Sequence, residues 1–197
     1  AEVLEIEWNR AMRHQTPITI MMIDIDYFKL YNDSLGHLQG DQCLKRISIL
    51  LSSISSRSDD LAARYGGEEF LLLFTVTNQE QALIQVQHLM ELVRNIEIIH
   101  PRSSVFKHMT VSVGVATTIP HLHDCFLEFI AQTDHALYIA KSNGQNQYHV
   151  AISRDEIALQ SSMTIKETRH LLLNYSHFLD LTIVQWQLAF RFNNHTH

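Results

Sequence analysis

The chain has 197 residues, of which 46% are hydrophobic, and its formal net charge is -6. This length and apolar content can bury a full core, and they predict one domain with room for an appendage. The acidic balance excludes a nucleic-acid groove binder, which normally presents a basic face, so a polyphosphate ligand would need a cation and a few placed Lys or Arg residues.

The low cysteine content favours a reducing compartment. Cys43 and Cys125 are too few for a disulfide framework, and Cys43 lies on a helical pattern where a small buried hydrophobic residue fits. The sequence has no visible signal peptide and no apolar run long enough to span a bilayer. We therefore expect a cytoplasmic localisation. Because the chain begins inside an amphipathic pattern, we also expect it to belong to a longer protein, whether or not that protein is attached to a membrane.

The first part of the chain alternates helical and strand patterns. Apolar residues at helical spacing predict a helix over residues 2–14. Residues 18–25 are apolar on both faces, which predicts a strand that helices bury on either side. A loop from Asn32 to Gly40 is expected next, followed by a helix with one buried stripe that the Ser-rich residues 52–58 end.

The second part begins with two short strands joined by Gly66-Gly67. We interpret this pattern as a β-hairpin, because glycine adopts the positive φ angles of a tight turn without penalty. A third long helix is predicted, with Asp124 as its N-cap and with Asn143-Gly144 at its end. The other predicted elements are strands near 60–65 and 70–76, a helix over 79–98, and strands at 109–116 and 147–152. The pattern predicts an α/β fold: a central mixed sheet of about five strands, flanked by helices, with the active site along one edge.

Residues 153–197 differ from the rest and predict a separate C-terminal extension. The segment from 171 to 190 is apolar but too often interrupted by polar residues to span a membrane. It is typical of one or two amphipathic helices that pack on the domain or on a partner. His195 and His197 are more typical of a disordered end than of a pair of metal ligands. We therefore expect a main domain over 1–152 and a helical extension over 153–197.

Two acidic residues, Glu68 and Glu69, follow the glycines at the mouth of the hairpin. Adjacent carboxylates repel each other unless a positive group lies beside them, and a hard cation such as Mg²⁺ is a common solution. The alternative is a solvated acidic turn without a ligand.

Asp24 adds a third carboxylate at the end of the strand 18–25. Strand ends and hairpin turns of one sheet can meet in space, which would bring Asp24 beside Glu68 and Glu69. Three carboxylates on one patch suit two-metal phosphoryl chemistry. Asp26, by contrast, is explained as the N-cap of the helix that follows it.

Several sequence blocks stand in the order of one known family. Residues 64–70, Arg-Tyr-Gly-Gly-Glu-Glu-Phe, resemble the signature loop of the GGDEF family, the diguanylate cyclases, in its GGEEF form. The other matching blocks are 22–29, 31–33, 36–37, 40–41 and 136–141, so the resemblance covers roughly residues 4–150. It implies the palm-like fold of nucleotide cyclases.

The resemblance implies condensation of two GTP molecules into cyclic di-GMP with release of two pyrophosphates. In the family, the positions matching Asp24, the backbone carbonyl of Ile25 and Glu68 hold metal ions, and Glu69 matches a position associated with the second ion. Two Mg²⁺ or Mn²⁺ ions per active site are therefore expected. Glu68 is our choice for the general base that takes the ribose 3′-hydroxyl proton, with hydroxide on the metal as the alternative. One domain holds one GTP, so an active homodimer is expected.

The resemblance also implies substrate contacts. Asn32 and Asp41 match the family's guanine contacts, although Asn32 also suits a turn and Asp41 a helix cap. The backbone N–H groups of Tyr27 and Phe28 offer an anion site at a helix start. Lys141 matches a phosphate-binding lysine, although a lysine in the last turn of a helix is favourable in any case.

Gln145 departs from the family pattern. The family usually has Gly-Arg-Asn where this chain has Gly144-Gln145-Asn146. Losing the guanidinium removes a strong phosphate contact, so we expect weaker GTP binding, for which Lys29 can compensate in part.

Arg57 and Asp60 match the family's inhibitory Arg-x-x-Asp site for cyclic di-GMP, which ends five residues before the glycine turn. The alternative is an ordinary surface ion pair. A supporting arginine of this site is replaced by His88, so weaker inhibition is expected.

Three functional hypotheses remain open at this point. The first is a diguanylate cyclase domain, whose upstream sensor or receiver domain would lie outside this chain. The second is a non-catalytic GGDEF-like receptor or allosteric domain that binds GTP or cyclic di-GMP. The third is a related cyclase that acts on a single nucleotide.

Overall fold

The computed structural model describes residues 2–55 and 57–152. This part of the chain contains five helices and five strands: α1 Glu2–His14, β1 Ile18–Ile25, α2 Phe28–Leu35, α3 His37–Ile54, β2 Leu61–Arg64, β3 Glu69–Thr75, α4 Gln79–Asn95, β4 Val111–Thr118, α5 Phe126–Ser142 and β5 Tyr148–Val150. None of these helices combines the length and hydrophobicity that crossing a bilayer requires. The extension expected over 153–197, with its terminal histidines, lies outside the described residues.

The five strands form one mixed sheet in the order β2-β3-β1-β4-β5, which confirms the predicted α/β fold. The pairs β2/β3, β3/β1 and β1/β4 are antiparallel, whereas β4 and β5 run parallel. β1 spans the predicted residues 18–25 and is buried at every position. Because β1 is central, a residue at its end is flanked by the ends of two neighbouring strands.

Helices cover both faces of the sheet, and the alternation of side chains along β1 divides the core between them. Ile23 belongs to the core formed with α3 and α4. Met22 belongs to the opposite core, with Trp8 of α1 and Phe129 of α5. Side chains two residues apart on a strand share a face, so Asp24 projects toward the α1 and α5 side.

α5 lies directly against β4 because Gly114 has no side chain. A Cβ at Gly114 would lie 2.2 Å from the backbone oxygen of Thr133 and 2.4 Å from the backbone nitrogen of Leu137. Any larger residue would push α5 away from the sheet. This close packing fixes the position of the last turn of α5, which carries Lys141.

The loop expected from Asn32 to Gly40 is wrong. Helices α2 and α3 fill most of this segment, and Gly36 alone separates them, at a φ of 85° that favours glycine. Asn32 and Asp41 therefore lie within helices. This excludes the alternatives that Asn32 is a turn residue and that Asp41 is a helix cap.

The ends of α4 and α5 also differ from expectation. α4 ends at Asn95 rather than at residue 98. Cys125, without a side-chain hydrogen bond, occupies the N-cap of α5, whereas Asp124 accepts a hydrogen bond from the His121 backbone nitrogen at 2.8 Å. The expected helix end is confirmed, since Asn143 is the C-cap of α5.

Candidate active site

The hairpin between β2 and β3 forms as predicted, but for a different reason. Neither Gly66 nor Gly67 has a positive φ, so the expected primed turn is wrong. The backbone nitrogens of Tyr65 and Gly66 both donate to the Glu69 carbonyl, at 2.8 and 3.3 Å. A Cβ at Gly66 would lie 2.8 Å from Oε2 of Glu69. A side chain at position 66 would therefore displace the end of the flexible Glu69 side chain, whereas the backbone conformation there does not demand glycine.

The hairpin tip is fixed to the end of β1. Asp24 lies opposite Glu69 on β3 and opposite Ser112 on β4. The Ile25 backbone nitrogen donates to the Glu68 carbonyl at 3.3 Å. The sheet register thus brings Asp24 to the mouth of the hairpin, as the sequence predicts.

Asp24 is a buried carboxylate whose charge is only partly compensated. It is 4% exposed, and its Oδ2 lies 2.8 Å from Nζ of Lys141, with which it forms an ion pair. Burial raises the pKa of Asp24 above its ordinary value, and the hydrogen bond and charge of Lys141 oppose that shift without cancelling it. The negative charges of Glu68 and Asp26 raise the pKa further, which places Glu68 within electrostatic reach of Asp24.

The expected trio of carboxylates is not assembled as one cluster. Within residues 2–55 and 57–152, no three His, Cys, Asp or Glu side chains lie close enough together to hold a metal ion. The Glu69 carboxylate lies over Gly66. The oxygen donors at this strand end are the Asp24 carboxylate, the Glu68 carboxylate within its electrostatic reach, and the Ile25 backbone carbonyl. This set fits Mg²⁺, which commonly takes one or two protein carboxylates and completes its octahedron with substrate phosphates and water.

Asp26 is not a helix cap, contrary to the sequence interpretation. The N-cap of α2 is Tyr27, and no side chain caps this helix. The Asp26 carboxylate instead accepts hydrogen bonds from Thr110 Oγ1 at 2.6 Å, Ser112 Oγ at 2.7 Å and the Asn146 backbone nitrogen at 2.9 Å. It therefore ties the start of β4 and the turn after α5 to the end of β1.

Asn32 and Gly40 face each other across the α2–α3 pair. A Cβ on Gly40 would lie 1.8 Å from Asn32 Oδ1, so only glycine leaves room for this side chain. Oδ1 is buried and has no hydrogen-bond partner. An unpaired buried acceptor costs roughly 1–3 kcal/mol, which a donor from a ligand would recover. Asp41, the next residue on α3, is exposed to solvent.

The groups expected to bind phosphates lie at the ends of α2 and α5. Tyr27 has a left-handed backbone, with φ 55° and ψ 29°, and its carbonyl accepts the first helical hydrogen bond, from the Tyr31 nitrogen at 3.0 Å. The N–H groups that open α2 have no acceptor within the helix. Lys29 is exposed, and Lys141 is engaged with Asp24.

Gln145 follows α5 in a left-handed conformation, with φ 63°. Its backbone nitrogen donates to the Ala140 carbonyl at 3.2 Å, and its side-chain Oε1 is buried without a partner. The substitution thus leaves a neutral amide, with unused hydrogen-bonding capacity, where the family usually has a guanidinium.

Arg57 and Asp60 form a turn that is anchored on β3. Oδ1 of Asp60 accepts from the Thr75 nitrogen at 3.2 Å, and Nη1 of Arg57 donates to the Thr75 carbonyl at 3.2 Å. The two side chains line a cavity of about 210 Å³, whose far wall is α4. His88 is exposed on α4, one helical turn beyond Ile84 of the cavity wall.

The sequence of this chain is similar to that of a known family and of several curated proteins. A family model described as "Diguanylate cyclase, GGDEF domain" matches residues 1–147. The probable diguanylate cyclase DgcT of Escherichia coli (strain K12) is 35% identical over 143 residues, which make up 73% of this chain and 31% of that protein. The chain spans 31%, 38% and 48% of the lengths of three curated relatives that it matches.

Two solved structures share the fold. The GGDEF domain of DgcB from Caulobacter crescentus, in complex with c-di-GMP, has a TM-score of 0.68 at 29% identity, covering 76% of this chain and 86% of that chain. The active GGEEF domain of a diguanylate cyclase from Vibrio cholerae has a TM-score of 0.62 at 33% identity, covering 75% and 91%.

Proposed function

Because this chain belongs to the GGDEF family of diguanylate cyclases, we propose that its domain condenses two GTP molecules into cyclic di-GMP and releases two pyrophosphates. The observation that carries the proposal is the buried Asp24 carboxylate at the hairpin mouth, which lies within electrostatic reach of Glu68 and has Lys141 as its ion-pair partner. A buried and underpaired acid in such a place is a typical mark of a functional site. A relative of similar fold binds c-di-GMP, which supports the choice of product.

The guanine base is held between α2 and α3. Asn32 offers a buried oxygen with no other partner, and the Asp41 carboxylate can accept from the N1–H and N2–H edge of the base. A site that depends on such hydrogen bonds can reject a base that lacks them by several orders of magnitude. Guanine bound in this way would explain why the Asn32 oxygen is buried without a partner in the protein.

The triphosphate lies along the opening of α2 and the end of α5. The N–H groups of Tyr27 and Phe28, together with Lys29, supply donors and positive charge. Lys141 is the second cation, and it also neutralises part of the Asp24 charge. The same lysine can therefore exchange its carboxylate partner for a phosphate oxygen when nucleotide binds.

Cyclases of this family generally depend on a metal ion. Asp24, the Ile25 carbonyl and Glu68 would hold one Mg²⁺ or Mn²⁺ ion, and Glu69 would contribute to a second. When bound, the ions neutralise charge on the phosphates and on the departing pyrophosphate.

Glu68 is proposed as the general base. It is partly buried at the hairpin mouth, where it can take the proton of the ribose 3′-hydroxyl. The 3′-oxygen then forms a bond to the α-phosphorus of the other nucleotide, and the bond from that phosphorus to pyrophosphate breaks. Each domain holds one GTP, so two copies must face each other, and an active homodimer is part of the proposal.

We propose residues 1–152 as the catalytic domain and the turn of Arg57 and Asp60 as a site where product inhibits. The cavity beside this turn and its fixation on β3 support a binding role. An upstream sensor or receiver domain of the same protein would then control how two domains meet.

The direct test is incubation of the full chain with GTP and Mg²⁺, with cyclic di-GMP detected by chromatography. The wild type should form product, and Glu68→Gln, which keeps size but loses the base, should lower turnover by about 10²–10⁴-fold. Unchanged turnover in the variant would reject the role of Glu68. Binding of cyclic di-GMP without any product from the wild type, tested at concentrations that form a dimer, would favour a receptor domain instead.

A further inference from the structure

The segment between α4 and β4 contacts Tyr27, the residue at the N-cap of α2. Its residue His100 is 2% exposed and places Nε2 at 3.1 Å from the Tyr27 carbonyl oxygen. The His100 ring also contacts Tyr31 edge to face, at 5.3 Å between centroids. Ser104 of the same segment donates to the Tyr27 hydroxyl at 3.2 Å. The segment thus holds Tyr27 at its backbone and at the tip of its side chain.

Tyr27 needs such support because its backbone is left-handed, at φ 55°. This conformation costs a non-glycine residue about 1–2 kcal/mol, and it persists only where the surroundings determine it. Position 27 also lacks a side-chain cap that could fix the helix start. His100 and Ser104 supply tertiary hydrogen bonds to this residue, at its carbonyl and at its hydroxyl.

The peptide between Tyr27 and Phe28 is what His100 fixes. In a trans peptide the carbonyl and the N–H point in opposite directions, and the described residues contain no cis bond. A carbonyl held by both His100 Nε2 and the Tyr31 nitrogen therefore sets the direction of the Phe28 N–H. Hydrogen bonds accepted by the carbonyl also polarise the peptide and strengthen that N–H as a donor.

On the basis of the proposed function, we infer that His100 is a positioning residue, which holds the Tyr27–Phe28 peptide so that the Phe28 N–H can bind a phosphate oxygen of GTP. A carbonyl only accepts, so Nε2 of His100 carries the donated hydrogen. Nδ1 is buried without a partner, so no competing hydrogen bond directs the ring elsewhere. The backbone of His100 is itself anchored, because its nitrogen donates to the Lys107 carbonyl at 2.9 Å.

Three substitutions separate the donor from the bulk of the ring. His100→Gln places an amide nitrogen as many bonds from Cβ as Nε2, so it can keep the donation to Tyr27. His100→Asn places its nitrogen at the position of Nδ1 and loses that donation. His100→Phe keeps an aromatic ring beside Tyr31 but has no donor at all.

The experiment has two arms, both on the full chain. The first uses NMR without nucleotide, and follows the Phe28 amide shift and the Tyr27 coupling constant that reports φ. The second measures binding of a GTP analogue with a methylene group between the α- and β-phosphorus, together with kcat and KM for GTP. Thermal unfolding of each variant checks that it is folded.

In the first arm, the Tyr27 and Phe28 signals should shift in His100→Phe and His100→Asn and stay close to wild type in His100→Gln. In the second arm, losing one hydrogen bond should weaken nucleotide binding and raise KM on the order of fivefold in the first two variants, with kcat little changed. Wild-type signals in His100→Phe would overturn the inference whatever the activity. Shifted signals with unchanged nucleotide affinity would also overturn it, because the peptide would not be a phosphate ligand. If the wild type failed to bind the analogue, the proposed function would be overturned, and so would the role of the Phe28 N–H in phosphate binding. The NMR arm would still decide whether His100 holds the Tyr27–Phe28 peptide.

Discussion

Two aspartates, Asp24 and Asp26, lie two residues apart at the end of the central strand, and they are held in opposite ways. Asp26 accepts three hydrogen bonds of 2.6–2.9 Å and joins three parts of the chain. Asp24 has one partner, Lys141, whose side chain is 39% exposed. Burial raises the pKa of Asp24, and the charge of its neighbour Asp26 adds to that rise.

One strand end thus serves two purposes. The hydrogen-bonding capacity of Asp26 is used within the protein, so this carboxylate stabilises the frame beneath the site. Asp24 keeps capacity for a ligand, at a cost in folding free energy, as functional groups often do. Because Asp26 fixes the backbone at this strand end, the Asp24 carboxylate can remain available to a metal ion or nucleotide without a rearrangement of the surrounding residues.

Removing the underpaired carboxylate should have the largest effect on activity. Asp24→Asn keeps the shape of the side chain but loses a ligand charge for the metal, which is worth several kcal/mol in phosphoryl chemistry. We expect cyclic di-GMP formation to fall on the order of a thousandfold. Turnover within tenfold of wild type would contradict the assignment, and Asp134→Asn, an exposed acid on α5, serves as the control.

Removing the satisfied carboxylate should mainly affect stability. Asp26→Ala leaves the donors of Thr110, Ser112 and Asn146 without their acceptor. Because hydrogen bonds to charged groups are strong, the free energy of unfolding should fall by about 3 kcal/mol. Urea denaturation measures this change. A loss below about 0.5 kcal/mol, as at an ordinary surface position, would show that the hydrogen bonds of Asp26 do not stabilise the fold.

Adding a cation to the underpaired region should improve substrate binding. Gln145→Arg restores the family's guanidinium at a position where the present side chain has a buried, unpartnered oxygen. One charge-assisted hydrogen bond to phosphate should strengthen GTP binding by about tenfold. Calorimetry with a GTP analogue measures this gain, and Asn143→Arg adds the same charge two residues away as a control. An equal gain in both variants would mean that net charge alone acts.

The turn at Arg57 offers a test away from the strand end. Arg57→Ala removes a guanidinium that now donates to the Thr75 carbonyl and lines the cavity beside α4. The concentration of cyclic di-GMP that halves the rate should rise by about tenfold, relative to each protein's own uninhibited rate. The matched control is Asp59→Ala, whose carboxylate pairs with Arg10 at 3.0 Å instead. The inhibitory role would be rejected if both variants were inhibited like the wild type.

The sequence alone predicts those parts of the fold that depend on local patterns. The continuous apolar run over 18–25 predicts the bounds of β1, and the two apolar runs joined by Gly66-Gly67 predict the hairpin to within about one residue, so the position of Asp24 follows from both. The sequence does not predict the hinge between α2 and α3, because a single residue, Gly36, forms it. Loop signals spread over several residues do not distinguish a short hinge from a longer loop.

The other misses involve contacts between distant residues. The partners of Asp26 lie 84, 86 and 120 residues away along the chain, so capping preference was the only local signal available. The polar residues Thr110 and Ser112, two residues apart at the start of β4, are the one local hint of a buried acceptor. His100 lies in a segment without periodicity, and its contact with Tyr27 spans 73 residues.

Urea denaturation of wild type and Asp24→Asn across a range of pH measures whether the buried Asp24 carboxylate is underpaired. A carboxyl whose folded pKa lies above its unfolded value of 3.8 contributes stability below that pH and loses it as pH rises through the folded pKa. The uncharged variant should therefore be more stable than wild type at pH 7, and the difference should shrink as the pH falls toward 4. A variant less stable than wild type at pH 7, with a gap that closes on acidification, would mean that Lys141 fully compensates Asp24 and would contradict the account.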